Sequence, residues 1–217
     1  MEKPVENYWK IRLGRLKETL ETNNFEAFVA QDTAEAQKML LEQILPAINA
    51  QSISWGGSAT FVATGLYDRL KDHAEMTVID TYDKSLDNER KIQRRREALL
   101  CDVYLTGTNA VTEAGQLVNL DMIGNRVGAL AFGPKHVIVL VGRNKIVADL
   151  ETAMRRIKEY SAPTNAMRLN MKTPCVQTAR CEDCRSPERI CNTWTITEKS
   201  FPKGRVKIVL INQVLGL

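Results

Sequence analysis

Four of the five cysteines in this chain, Cys175, Cys181, Cys184 and Cys191, fall in one short stretch with the spacing C-x5-C-x2-C-x6-C. Thiolates are soft donors that favour zinc or iron-sulfur clusters, and a C-x2-C turn lets two sulfurs face one centre without straining the chain. Cys175 and Cys191 would close a four-ligand shell, and no histidine lies in the segment to make it a mixed nitrogen and sulfur site. Zinc sites of four cysteines usually come as two tight pairs. Here only one pair is tight, which tilts the reading towards an iron-sulfur cluster of the 4Fe-4S type, with zinc as the alternative. Free thiols or an occasional disulfide stay open on spacing alone. Cys101, isolated before an apolar strand, reads as a buried core thiol.

Two further groups of residues have the right types for chemistry. Gly56-Gly57-Ser58 places flexible backbone and a capping hydroxyl between a strand and a helix start, where free N–H groups can hold a phosphate or carboxylate. A tight structural turn accounts for the same residues equally well. Glu113 stands at a predicted hairpin tip, near Asn119, Asp121, Asn125 and Arg126. A carboxylate in a crevice at strand ends can act as nucleophile or base, although glutamates are also ordinary turn residues. His136, opening an apolar strand, is expected to make a structural hydrogen bond.

The elements that must position these groups alternate. Trp9, Leu13, Leu16 and Leu20 recur at helical spacing, followed by a strand over Phe25–Ala30. Asp32 and Glu35 match a capping box for a helix that Pro46 is expected to stop. Strands are predicted at Ser52–Trp55, Met76–Ile79 and Asp102–Thr106, with helices over residues 62–70 and 88–100 between them. A hairpin is expected around Gly115, a fully buried strand at residues 136–141, a helix at residues 150–157, and closing strands at residues 194–197 and 206–211. Regular alternation of this kind implies an α/β fold with a mostly parallel sheet and helical crossovers. Residues 1–217 read as a single domain that includes a cysteine-rich metal-binding segment over residues 163–193.

Bulk properties exclude several classes. The formal charge of +4 is mild, and the one dense basic run, Lys91 with Arg94, Arg95 and Arg96, reads as a solvated helix face, so no nucleic-acid partner is expected. No segment approaches the roughly 20 apolar residues that span a bilayer, and the charged stretch Met1–Glu6 lacks the apolar core of a signal peptide. The expectation is a cytoplasmic protein without membrane insertion, where clustered cysteines read as metal ligands before disulfides.

With those residues in hand, the chain resembles the LUD (lactate-utilisation domain) family, in particular single-domain members with a C-terminal cysteine motif. The resemblance runs through Trp55-Gly56-Gly57-Ser58, the stretch from Leu105 to Gly115, Gly124-Asn125-Arg126-Val127, Gly133-Pro134-Lys135-His136, Asn144-Lys145-Ile146-Val147, Asn165 to Asn170, and Thr173-Pro174-Cys175. It implies the three-layer α/β/α arrangement shared by glucosamine-6-phosphate deaminase, ribose-5-phosphate isomerase and the CoA transferases. It further implies that Gly56, Gly57 and Ser58 stand where that superfamily keeps an anion-binding loop. Glu113 and Gly115 resemble its glutamate-glycine turn, although the full CoA-transferase signature is missing and the phosphate loop is shortened. The family's link to lactate oxidation implies a small organic-acid ligand and iron-sulfur or oxidoreductase partner subunits, and a homo-oligomer is compatible with it. The alternative is a stand-alone enzyme or binding module for a phosphorylated sugar or CoA-type ligand. No flavin or nicotinamide fingerprint is present, so hydride chemistry would fall to another subunit.

Overall fold

The computed structural model describes residues 3–217; Met1 and Glu2, which begin the charged N-terminal stretch, lie outside the described residues. The chain opens with helix α1 (Pro4–Thr22), which buries Leu13, Leu16 and Leu20 on one face. Strand β1 (Glu26–Ala30) follows. Helix α2 (Thr33–Met39) starts at Asp32, whose carboxylate accepts from Glu35 N–H at 2.8 Å. The expected stop at Pro46 does not hold: a π turn over Leu40–Ile44 leads directly into α3 (Leu45–Ile48). The wider turn relieves the clash that a proline ring makes with the carbonyl of the preceding turn.

Strand β2 (Ser52–Trp55) leads to α4 (Ala59–Ala63) and α5 (Leu66–Leu70), which divide the expected single helix at Gly65, φ 70°. Strand β3 (Thr77–Ile79), helix α6 (Asn88–Glu97) and strand β4 (Val103–Gly107) come next. Strands β5 (Ala110–Thr112) and β6 (Leu117–Asp121) form the expected hairpin, with Gly115 at φ 80°. After them come α7 (Asn125–Ala131), β7 (His136–Gly142), β8 (Ile146–Val147) and α8 (Leu150–Arg156). A second π turn, Ile157–Ser161, carries the helical run past the expected end and through Pro163 into α9 (Ala162–Arg168). The short α10 (Pro174–Thr178) opens the cysteine segment, and β9 (Thr193–Thr197) and β10 (Val206–Ile211) close the chain.

Six strands make one sheet in the order β1-β10-β7-β4-β2-β3, every neighbouring pair parallel. Alternation along its central strands separates two cores, as the period of two requires. Val137, Val139 and Val141 of β7, with Tyr104 of β4, pack towards α1 and α7. Ile138 and Leu140, with Val103 and Leu105, pack towards α2 to α5. The fold is therefore a three-layer α/β/α arrangement. A second sheet of order β8-β5-β6-β9 stands beside it, and Ala110, Val118, Leu120, Val147, Ala153 and Ile157 join that sheet to α8 and the turn after it. The closing strands thus part company, β9 edging the small sheet and β10 entering the large one between β1 and β7. No helix among the described residues is long and apolar enough to cross a membrane.

Candidate functional site

Open parallel sheets place ligands at the carboxyl ends of their strands, where chain connections diverge. Here the ends of β2, β4 and β7 border a crevice of about 480 Å³. The chain crosses from the large sheet to the small one at Gly107-Thr108-Asn109, and that junction is densely bonded. Thr108 Oγ1 donates to the carbonyls of Ala110 and Val118 at 3.0 and 3.3 Å. The Asn109 side-chain oxygen accepts from Leu120 N–H and Arg126 Nη2. The backbone carbonyl of Asn109 accepts from Arg156 Nη1 at 2.9 Å, and that of Thr108 accepts from Lys145 Nζ at 3.0 Å.

The crevice walls bring together Gly57, Ser58, Asp121, Asn125 and Arg126 from the sequence-predicted set. Gly56 lies just beneath, where a Cβ would stand 2.5 Å from the Tyr104 hydroxyl and 2.8 Å from Arg126 Cγ. Asn119 is buried behind the wall, accepting from Asn109 N–H, while its Nδ2 has no partner. The glycine loop is less free than an anion cradle requires. Ser58 N–H donates to Tyr82 Oη, Ser58 Oγ accepts from Phe61 N–H as the cap of α4, and Tyr82 donates back to the Gly56 carbonyl.

Glu113 and Gly115 are not brought to this crevice. Glu113 Oε1 accepts from Arg12 Nε and Nη2, both at 2.9 Å, in a separate hollow against α1. Gly115 meets Asn23 and Thr19 of the same region. The hairpin turn points away from the strand ends because α1 packs beneath it and Asn23 Nδ2 donates to the Ala114 carbonyl at 2.8 Å. His136 departs from expectation too, since its Nδ1 is buried without a partner, and burial lowers its pKa. Cys101 is buried as expected and its thiol is pushed up to about 12, chiefly by burial.

Sequence reasoning singled out Arg126 among the crevice's cations but gave no ligand role to the others, and Arg95, expected on a solvated helix face, borders the crevice instead. Arg95 of α6, Lys145 and Arg168 line it along with Arg126, whereas the carboxylate there, Asp121, is committed to Arg126 Nε at 2.8 Å. Arg168 rests on the neutral side-chain oxygen of Asn165 at 2.7 and 3.0 Å. Lys145 is 5% exposed. Burial, followed by the charges of Arg156 and Arg126, lowers its pKa to about 7. The available signal was position: Lys145 lies three residues beyond β7, a strand buried at every residue but its first, where a lysine needs a reason.

The four clustered cysteines line one small pocket, walled by Ala162, Pro163 and Ile190. The loop has left-handed backbone at Ala179, φ 53°, and Asp183, φ 45°, and Cys181 and Cys184 both border the pocket. Arg189 staples it: Nη1 donates to the Cys184 carbonyl at 2.6 Å, Nε to the Cys191 carbonyl at 3.0 Å, and Nη2 pairs with Asp183 at 2.8 Å. Lys158, reaching from the π turn, pairs with Asp183 at 3.2 Å. Burial pushes the Cys191 thiol up, while Arg189 and Lys158 pull it down. Among the described residues, no three histidine, cysteine, aspartate or glutamate side chains are grouped closely enough to hold a single metal ion. The donor set itself, four thiols with two cations close by, has the chemistry of a thiolate-held centre. Ile190 borders both this pocket and the crevice, and Asn192 N–H donates to the Asp121 carbonyl at 3.0 Å, so the loop forms part of the crevice wall.

The sequence model of the LUD domain matches residues 13–211. A solved structure of a DUF162 family protein from Deinococcus radiodurans is similar over 93% of this chain and 97% of its own, at 16% identity and a TM-score of 0.48. Comparison with curated proteins gives no match.

Proposed function

Because the chain belongs to the LUD domain family, we propose that it serves the utilisation of lactate or a related organic acid. In this reading it binds a small carboxylate in the crevice and an iron-sulfur cluster in the adjoining cysteine pocket. The observation that carries the reading is the imbalance of charge around the crevice, where the guanidinium groups of Arg95, Arg126 and Arg168 face one side-chain carboxylate, Asp121, that is already paired. A guanidinium offers the planar fork that matches a carboxylate, so Arg126 and Arg168 would bind and orient it. Cys175, Cys181, Cys184 and Cys191 would hold the cluster, which when bound supplies one-electron transfer. Arg189 and Lys158 would offset the negative charge of four thiolates, and Ile190 would keep water from between the two pockets. Zinc remains the alternative metal, bracing the same loop. Hydride chemistry belongs to an oxidoreductase partner subunit.

Thermal-shift measurements with L-lactate, pyruvate and inorganic phosphate test the crevice. Stabilisation by a carboxylate that is lost in both Arg126→Met and Arg168→Met is expected. No shift with any of the three would remove the ligand claim. Stabilisation by phosphate alone would favour the second reading, a module for phosphorylated ligands, which the same cations also suit. Growth on lactate of a strain lacking the chain tests the pathway, and undiminished growth would count against it.

A further inference from the structure

We propose that Lys145 is a carbonyl-reactive amine and that the crevice accepts a 2-oxo carboxylate whose keto carbon this amine attacks. The inference rests on the anion-binding reading of the crevice. Lys145 enters from the turn that follows β7, one of the two central strands of the sheet. Its side chain is buried yet lines the crevice. Its hydrogen bond goes to a neutral acceptor, the Thr108 carbonyl at 3.0 Å. A buried lysine is ordinarily matched with a carboxylate, but Asp121, whose side chain is the one carboxylate of the crevice lining, is bound by Arg126. The charged groups that act on Lys145 are instead the cations Arg156 and Arg126. Like charges and desolvation together favour the free amine, the form with a lone pair to donate, and the lowered pKa of about 7 agrees with that geometry.

The chemistry balances without an oxidant. The amine lone pair forms a C–N bond to the keto carbon while the carbonyl oxygen takes up a proton from solvent, and the nitrogen then loses one of its two protons, giving a neutral carbinolamine. The carbinolamine oxygen takes up a second proton and departs as water while the nitrogen lone pair forms the C=N bond. The product is the iminium, whose nitrogen keeps the second amine hydrogen. The substrate carboxylate, held by Arg126 and Arg168, would offset the positive charge that this iminium brings beside Arg156. The iminium draws electrons from the neighbouring carbon, so a methyl group there should exchange its hydrogens with solvent.

The test uses the full chain with pyruvate as the probe. Borohydride is added to trap the imine, peptide mapping locates it, and NMR follows methyl exchange in deuterium oxide. One reduced adduct on Lys145, with methyl exchange, is expected, and both should vanish in Lys145→Arg, which keeps an N–H donor for the Thr108 carbonyl but has no nucleophilic amine. Lys145→Met, with its fold checked by circular dichroism, should lose both as well. If pyruvate raises the melting temperature but leaves no adduct, Lys145 only holds the Thr108 carbonyl, and this inference fails while the anion reading stands. Neither shift nor adduct would remove both. Adducts confined to exposed lysines would also overturn the assignment.

Discussion

Two adjacent glycines that look interchangeable in the sequence differ sharply in the fold. A Cβ at Gly56 would collide with Tyr104 and Arg126, whereas at Gly57 it would meet nothing within 4 Å. Gly56→Ala should cost about 1–3 kcal/mol by overpacking, read from denaturant midpoints, and Gly57→Ala should stay within about 0.5 kcal/mol of the wild type. Equal effects would contradict the packing described. Lys145 yields a pH prediction. Burial lowers its pKa in the folded protein to about 7 against an ordinary 10.5, so the unfolded chain binds more protons between those values. Stability must therefore rise with pH across that window, the burden of the buried ammonium being complete below it. The melting temperature of the wild type should gain on that of Lys145→Met as pH increases from about 7; a difference independent of pH would show that the lysine titrates normally. At this scale the sequence exposed the cysteines through their spacing and Asp121, Asn125 and Arg126 through their clustering. It could not expose Lys145, Arg168 or Arg95 as neighbours, because these come from separate elements that meet only when the sheet forms.

Individual elements were legible wherever their pattern was local. The buried strand at residues 136–141 and the hairpin at Gly115 follow from alternation and turn chemistry. Pro46 misled as a stop, and the helix expected to end at residue 157 runs on, because a π turn lies at each place, and hydrogen bonds of that kind leave no periodic trace. Glu113 was legible as a hairpin residue but not in its direction, which is fixed by α1, about a hundred positions away. Arg189 and Arg205 were hidden for the same reason, since each acts on backbone carbonyls rather than on a patterned side chain. Arg189→Gln should leave the melting temperature nearly unchanged but speed hydrogen exchange across residues 175–191 at least about tenfold, the effect of losing roughly 1.4 kcal/mol of local stability. Unaltered exchange there would show that the loop does not depend on the arginine. Arg205 behaves differently. From the start of β10 it donates to the carbonyls of Ala129, Leu130, Phe132 and Pro134 at 2.7 to 3.1 Å, closing the end of α7. Arg205→Met leaves those carbonyls without their donor, and a loss of about 3 kcal/mol in global stability is expected from chemical denaturation.

Taken as a whole, the molecule sets a cation-lined crevice at the carboxyl ends of a parallel sheet and encloses one side of it with a cysteine loop. The mostly parallel sheet with helical crossovers was legible from the alternation of strands and helices, and its three layers from the family resemblance, but the second sheet was not, because β8 is two residues long and β9 returns from beyond the loop. That return is what joins the two pockets, through Ile190 and through the bond from Asn192 to Asp121. The central claim is that four thiols serve one inorganic centre. Iron, zinc and acid-labile sulfide measured in anaerobically purified wild type, beside each of the four single Cys→Ser variants at Cys175, Cys181, Cys184 and Cys191, address it directly. The account predicts about four iron and four sulfide per chain in the wild type, with a large loss in every variant. Wild-type protein with neither iron nor zinc, or a metal content indifferent to all four substitutions, would contradict it.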